Sequence, residues 1–207
     1  MSEIILFTNP QSRGQMAHWM LEELGEPYET RWIDYGEEIK GDAFLAINPM
    51  GKLPTIQHRG EVVTETAAIC TYLAASFPEK GLIPALGDPQ LAAFYRWMFF
   101  AAGPLEQAVS TSSMGWEVTA ERSRTLGFGS MEDTLRAVET ALVPGPYVCG
   151  ETFTAVDVYL GSHLMWGMQF GTIEKRPTFE TYVARLTERP ALQRTQQLNN
   201  ERMAAQA

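Results

Sequence analysis

Where the chain first turns, "FTNPQSRGQM", residues 7 to 16, sets a cluster of small polar groups after an apolar run: Thr8, Asn9, Ser12 and Arg13. Ser12 and Gln15 have the Ser-x-x-Gln spacing of a capping box, in which the hydroxyl accepts a backbone N–H inside the helix and the glutamine side chain answers the N–H of the cap. A hydroxyl at the head of a helix can also hydrogen-bond a group that docks there, because unpaired N–H groups already favour negative charge at that end. A second polar pair, Glu65-Thr66, stands where another helix begins. Free N–H groups suit a carboxylate and the adjacent glutamate suits a neighbouring ammonium, so this pair can read a zwitterion.

Other chemistries lack their residues. His18, His58 and His163 are scattered, with no Ser-His-acid arrangement, and each reads as a surface or packing residue. The two cysteines, Cys70 and Cys149, lie far apart and outside any CxxC or Cys/His metal spacing, so neither a disulfide framework nor a zinc site is expected. Cys70, in "AAICTYL", reads as a buried thiol on a packed helix face. In "FTAVDVYL", Thr154 and Asp157 have capping-box spacing, with Asp replacing the usual Glu or Gln, and Phe153 and Val158 stand where a hydrophobic staple would be.

The elements that must position these groups follow from periodicity. "EIILF" predicts a buried strand, and Met16, Met20 and Leu24, with Ala17 and Leu21 beside them, make the apolar face of a helix that stops at Gly25. "YETRWIDY" predicts a second strand, and "DAFLAIN" a short helix ended by Asn48-Pro49. "TIQH" and "EVVT" predict a hairpin turning at Arg59-Gly60, and a third helix runs from about Glu65 to Phe77. "FPEKGLIPALGDPQ" concentrates Pro and Gly without periodicity and reads as a linker. Beyond it, residues 90 to about 113 and 116 to about 143 are long helical stretches, "VPGPYVCGET" breaks the chain before another helix, and no strand pattern returns.

The chain has 207 residues, 45% hydrophobic and 20% charged, enough for one generous core or two modest ones. A net charge of −9 without a basic run argues against nucleic-acid and anionic-membrane partners. "MSEIILFTNP" has no basic n-region, and no segment reaches the roughly 20 apolar residues of a membrane span, so a reducing cytoplasm is expected.

Three stretches in order, "NPMGKLPTI", "VVTETAAICTYL" and "GETFTAVDVYL", resemble the glutathione S-transferase superfamily across nearly the whole chain, with the subclass open between bacterial-type and serine-using, theta-like kinds. The resemblance implies an α/β thioredoxin-like N-terminal domain over residues 1–78, a linker over 79–88 and an all-helical C-terminal domain over 89–207. It implies glutathione as co-substrate, no tightly bound cofactor or metal, and a homodimer. By resemblance Glu65 and Thr66 take the γ-glutamyl group, although the family more often has Ser at the position of Thr66. A cis Leu53-Pro54 bond offers the Leu53 backbone to the cysteinyl part of glutathione, and Lys52, with Lys40 second, meets the glycine carboxylate.

The same resemblance places the sulfur-activating group in the first loop. Ser12 is the expected residue, with Asn9 or Thr8 as alternatives and Arg13 assisting. Phe7 and Thr8 stand where a tyrosine-dependent relative has its tyrosine, and no cysteine precedes Cys70, so those two mechanisms are not expected. An apolar wall for a second substrate, between the domains, is expected from Trp97, Phe100, Met114 and Trp116. The implied activity is conjugation of the glutathione thiolate to small hydrophobic electrophiles, a detoxification reaction. The alternatives are a glutathione-dependent disulfide reductase or peroxidase, and a non-catalytic binding or regulatory protein of the same fold.

Overall fold

The structure, a computed structural model, describes residues 3–206. Contacts divide the chain into two units, one running up to Lys80 and resuming at Glu188, the other Gly81–Thr187. The first unit is built on a four-stranded sheet in the order β2-β1-β3-β4. Its strands are β1 (Ile4–Thr8), β2 (Tyr28–Trp32), β3 (Thr55–His58) and β4 (Glu61–Thr64). β1 pairs with β2 in parallel and with β3 antiparallel, and β3 with β4 antiparallel. The apolar run "IILFT" suits the centre of this sheet, where both faces are covered. β2 ends at Trp32, short of the predicted "YETRWIDY".

Helix α1 (Gly14–Leu24) joins the parallel pair, buries Met16, Met20, Leu21 and Leu24, and ends on Gly25 at φ 69°, the left-handed cap that glycine adopts without a Cβ penalty. Two short turns of helix, α2 (Glu37–Lys40) and α3 (Asp42–Leu45), follow β2. Phe7, Ile33, Ile39 and Phe44 form a core on one side of the sheet, with Ile5, Ile47 and Leu53 packed on it. The β3-β4 hairpin turns at Arg59 (φ 54°) and Gly60 (φ 86°), two successive positive φ angles as in a type I′ turn. Helix α4 (Thr66–Ser76) packs beside α1, and Pro78–Lys80 forms a single 3₁₀ turn.

The last helix, α11 (Pro190–Ala204), returns to the first unit and lies on α1. Arg189, just ahead of it, forks onto the nearly buried Glu23 carboxylate at 2.6 and 2.7 Å, and Trp19 Nε1 donates to the same group at 2.8 Å. A bidentate guanidinium pair of this kind fixes orientation as well as energy. Arg189 and α11 lie in the stretch, 89–207, that the resemblance assigns to the helical C-terminal domain.

Among the described residues the second unit is helical apart from isolated bridges at Tyr147–Gly150 and Cys149–Thr152. Helix α5 (Gln90–Phe100) passes through a π-helical segment, Ala101–Leu105, into α6 (Glu106–Ser113). The wider register accommodates Pro104, which has no N–H to give to a helix ladder. The predicted helical stretch over 116–143 is broken into α7 (Ala120–Ser123) and α8 (Met131–Leu142). Gly127 and Gly129, the latter at φ 67°, interrupt it, and Ser130 restarts it by accepting the Asp133 N–H at 3.1 Å.

Helices α9 (Ala155–Phe170) and α10 (Pro177–Thr187) complete the unit. The capping box at Thr154 and Asp157 forms, and the buried carboxylate also accepts the Val148 N–H at 2.9 Å and the Tyr182 hydroxyl at 2.8 Å. A βαβ start, an antiparallel hairpin and a closing helix define a thioredoxin-like layer, and the second unit is an all-helical partner to it in sequence. Among the described residues no helix is long and apolar enough to cross a membrane.

Candidate functional site

Strand register decides which loops meet. Thr8 lies opposite Trp32, Phe7 opposite Thr55, and Thr55 opposite Thr64. The loop after β1, the loop after β2, the turn leading into β3 and the residues after β4 therefore all sit at one end of the sheet. Two helices, α1 and α4, begin there, each with N–H groups that its own ladder leaves unpaired. Residues separated by more than fifty positions in sequence are thus gathered by pairing alone.

In the first loop, buried Asn9 is fully engaged: its Nδ2 donates to the Ile33 carbonyl at 2.9 Å and its Oδ1 accepts the Gln11 N–H at 2.9 Å. Ser12 is half-buried. Its Oγ donates to the Asn9 carbonyl at 2.7 Å and accepts the Gly14 N–H at 2.9 Å. The predicted Ser12-Gln15 capping box does not form, because Arg13 occupies the cap position and Gln15 Nε2 donates to the Pro10 carbonyl. The loop turns so tightly that the hydroxyl reaches an N–H two residues on instead of three, in the manner of a Ser/Thr turn. Thr8 is wholly buried and its Oγ1 has no hydrogen-bond partner. Gly14 lies over it so closely that a Cβ there would fall 2.0 Å from Thr8 Oγ1 and 2.7 Å from Ser12 Oγ.

The turn into β3 is held by Asn48, a residue that the sequence showed only as a helix terminator. Its Nδ2 donates to the Lys52 carbonyl at 2.9 Å and to Thr55 Oγ1 at 3.0 Å, and its Oδ1 accepts the Met50 N–H at 3.0 Å. Lys40 is also committed to this turn, its Nζ donating to the Met50 and Gly51 carbonyls at 2.8 and 3.0 Å. Lys52 is exposed at the same turn. The Leu53-Pro54 bond is cis, and among the described residues the Leu53 N–H and C=O take no hydrogen-bond partner.

At the head of α4, Glu65 is exposed and adopts φ 66°, ψ 117°, a conformation that L residues rarely hold and that tends to mark ligand sites. Neither Thr64 nor Thr66 caps the helix through its side chain. Thr66 is buried, and its hydroxyl takes no hydrogen bond among the described residues.

The remaining candidates separate. Cys70 is fully buried, which pushes its thiol up to about 12, and burial likewise raises Cys149 to about 11, so neither is a ready thiolate. All three histidines are buried, each against a tyrosine: His18 on Tyr28, His58 on Tyr72 and His163 on Tyr159. In the second unit Trp97 is buried beneath the Arg96 guanidinium and edge-on to Phe100, whereas Met114 and Trp116 are exposed in the turn after α6.

The fold and this sheet end define a thioredoxin-like protein with two helices beginning at the same end of its sheet. Comparison with known proteins gives the family. Residues 12–76 match the family profile described as "Glutathione S-transferase, N-terminal domain". The chain is 27% identical over 192 residues to the glutathione S-transferase GstA of Escherichia coli O157:H7, covering 91% of this chain and 94% of that one. A solved glutathione transferase from Methylococcus capsulatus superposes with a TM-score of 0.79 at 28% identity, over 95% of this chain and 98% of the other. A glutathione transferase homolog from Sulfitobacter, solved with bound glutathione, gives 0.75 at 26% identity, over 95% and 98%. The chain belongs to the glutathione S-transferase superfamily.

Proposed function

We propose that the protein binds glutathione at this sheet end and transfers its thiolate to a small hydrophobic electrophile. The observation that carries the reading is the convergence fixed by register: Ser12, the open Leu53 backbone and the Glu65-Thr66 helix head all lie at one end of one sheet. Thr66 and the α4 N–H groups take the γ-glutamyl carboxylate, and the exposed Glu65 takes its ammonium. Leu53 pairs with the cysteinyl backbone as a short added strand. Lys52 meets the glycine carboxylate, while Lys40 serves chiefly to hold the turn that presents it.

Ser12 acts on the sulfur, since the Asn9 side chain is occupied and Thr8 is sealed under Gly14. The serine is a hydrogen-bond donor here, not a nucleophile. Its proton turns from the Asn9 carbonyl to the thiolate, exchanging a neutral bond of about 1 kcal/mol for a charge-assisted one of roughly 1.5–3 kcal/mol. The Gly14 N–H, donating to the same oxygen, polarises the hydroxyl and strengthens it as a donor. A thiol of pKa about 8.5 is roughly 3% ionised at pH 7, and lowering it by about two units brings that to roughly 75%. Nucleophilicity falls with pKa, with a Brønsted slope of about 0.4–0.5, so the net gain is a few-fold. Most of the acceleration comes from holding the electrophile against the sulfur. Trp97, Phe100, Met114 and Trp116 are the apolar side chains of the second unit proposed for it.

Calorimetric titration with glutathione at millimolar concentration, and turnover of a chlorinated nitrobenzene against pH, test the reading. Saturable binding is expected, and Ser12→Ala should keep it while moving the acid limb of kcat/KM toward the free thiol value, about 8.5. No saturation refutes the binding site. An unmoved acid limb refutes the role of Ser12. Turnover of hydroxyethyl disulfide without turnover of the nitrobenzene would make the protein a glutathione-dependent reductase.

A further inference from the structure

The loop after β2 alternates between two neighbours. Ile33 faces the first loop, its N–H donating to the Thr8 carbonyl at 2.9 Å and its carbonyl accepting from Asn9 Nδ2 at 2.9 Å. Asp34 faces the end of α11: its Oδ1 accepts from Gln206 Nε2 at 2.9 Å, and Arg202 Nη2 stands 3.5 Å away. Tyr35 faces the first loop again, its hydroxyl 3.5 Å from the Gln11 carbonyl, the outer limit of a hydrogen bond. Ile33 makes these contacts through its backbone, while its side chain lies in the core with Phe7 and Phe44, and Tyr35 stands in the turn that follows.

The carbonyl that Tyr35 approaches belongs to the peptide plane between Gln11 and Ser12. The N–H of that plane donates to the Asn9 carbonyl at 3.1 Å, the same oxygen that receives the Ser12 hydroxyl at 2.7 Å. A group bonded to the Gln11 carbonyl therefore resists rotation of the plane that aims Ser12. Tyr35 is 55% exposed, so burial of its ring does not explain its position. Its own neighbour in sequence does. Asp34 is held from the far side by the C-terminal end of the chain, and α11 is anchored to α1 by the Arg189–Glu23 fork and to the end of β2 by the Arg202 guanidinium over the Trp32 ring at 5.8 Å.

We propose that Tyr35 is a positioning residue for Ser12, and that Gln206 and Arg202 at the end of α11 set it in place by clasping Asp34. The inference rests on the proposed role of Ser12 at the glutathione sulfur. When the clasp is closed, the tyrosine hydroxyl steadies the Gln11-Ser12 peptide and the serine proton is free to leave the Asn9 carbonyl without the plane turning. When the clasp is open, the loop after β2 loses its outer restraint and the serine is aimed less sharply. The C-terminal end of the chain thereby acts on the sulfur of the bound tripeptide through Asp34, Tyr35 and Ser12 in turn.

The test compares Tyr35→Phe, Gln206→Ala and Ser12→Ala, alone and combined, by the pH profile of kcat/KM and by the ultraviolet absorbance of the bound glutathione thiolate against pH. Tyr35→Phe should raise the pH at which the thiolate forms and lower kcat/KM on the acid limb about 3- to 10-fold, with little change on the alkaline plateau, since 10-fold corresponds to one pKa unit. Gln206→Ala should shift both readouts in the same direction by less. In the Ser12→Ala background Tyr35→Phe should have no further effect, because the tyrosine acts only through the serine. Both positions are exposed, so the melting temperatures of Tyr35→Phe and Gln206→Ala stay near that of the parent.

If Ser12→Ala moves the thiolate titration and Tyr35→Phe does not, the inference is overturned and the function stands. A uniform loss of kcat/KM at every pH also overturns it, since that reports a general disturbance. If Ser12→Ala itself leaves the titration unmoved, the role of Ser12 and the inference fall together.

Discussion

Replacing Gly14 with alanine would place a Cβ 2.0 Å from Thr8 Oγ1, 2.7 Å from Ser12 Oγ and 3.1 Å from Thr8 Cβ. Atoms do not sit closer than 3.0 Å to a real Cβ, so the head of α1 has to retreat from the end of β1 by about an ångström. Overpacking of this kind costs roughly 1–3 kcal/mol. The better helix propensity of alanine offsets up to about 1 kcal/mol of it. A net loss of about 1–2 kcal/mol is expected, which lowers the melting temperature of a chain of this size by roughly 3–6 °C.

The source of that loss is separable. Thr8→Ala removes the oxygen behind the shortest contact, and that oxygen is buried and unpartnered, so its deletion alone should cost little beyond one methyl, about 0.8 kcal/mol. The double variant Gly14→Ala/Thr8→Ala should then be about 1 kcal/mol more stable than the sum of the single effects predicts. Turnover should not recover, because the contact with Ser12 Oγ survives in the double variant. The assay is a double-mutant cycle in urea, paired with glutathione turnover. Additivity within about 0.5 kcal/mol would refute the steric argument, and recovery of turnover together with stability would refute the link through Ser12.

Asn48→Ala removes three hydrogen bonds around the turn that carries Lys52 and Leu53, and at about 1 kcal/mol each it should cost roughly 2–3 kcal/mol, or about 5–10 °C in melting temperature; the KM for glutathione should rise with it, and a rise in neither would show that the turn is held by other means. His18 is fully buried, which holds its ring below the ordinary value of 6.5, with Glu22 opposing the shift. The unfolded chain therefore binds the proton more readily, and stability should fall as pH drops below about 6.5. Denaturation midpoints taken on both sides of that value should differ less in His18→Gln than in the parent; an equal difference would assign the acid loss to other groups, of which buried His58, shifted downward by burial and by Arg59, is the first.

Elements and their ends were legible in the sequence wherever the cause is local. The i, i+4 apolar face of Met16, Met20 and Leu24, the glycine that stops their helix, the Arg59-Gly60 hairpin and the Thr154-Asp157 box each depend on residues within a few positions of one another. The stretch over 116–143 misled because helical periodicity persisted across Gly127 and Gly129, whose backbone freedom and the Ser130 cap outweighed it. Ser12 and Gln15 misled for a related reason: the spacing of a capping box was present, but the tight loop gave the serine a nearer N–H and the glutamine a different carbonyl.

The sequence by itself determined a thioredoxin-like layer followed by helices, and supplied the residue types of the proposed tripeptide site in short motifs. Only the tertiary structure decided that those motifs share one end of a sheet, because strand register links Phe7 to Thr55 and Thr55 to Thr64 across gaps that no local pattern spans. It also decided that Asn48 braces the turn, that all three histidines are buried, and that the last helix comes back to clasp Asp34. Each of these depends on contacts between residues distant along the chain, and such contacts exist only once the strands have paired and the helices have packed.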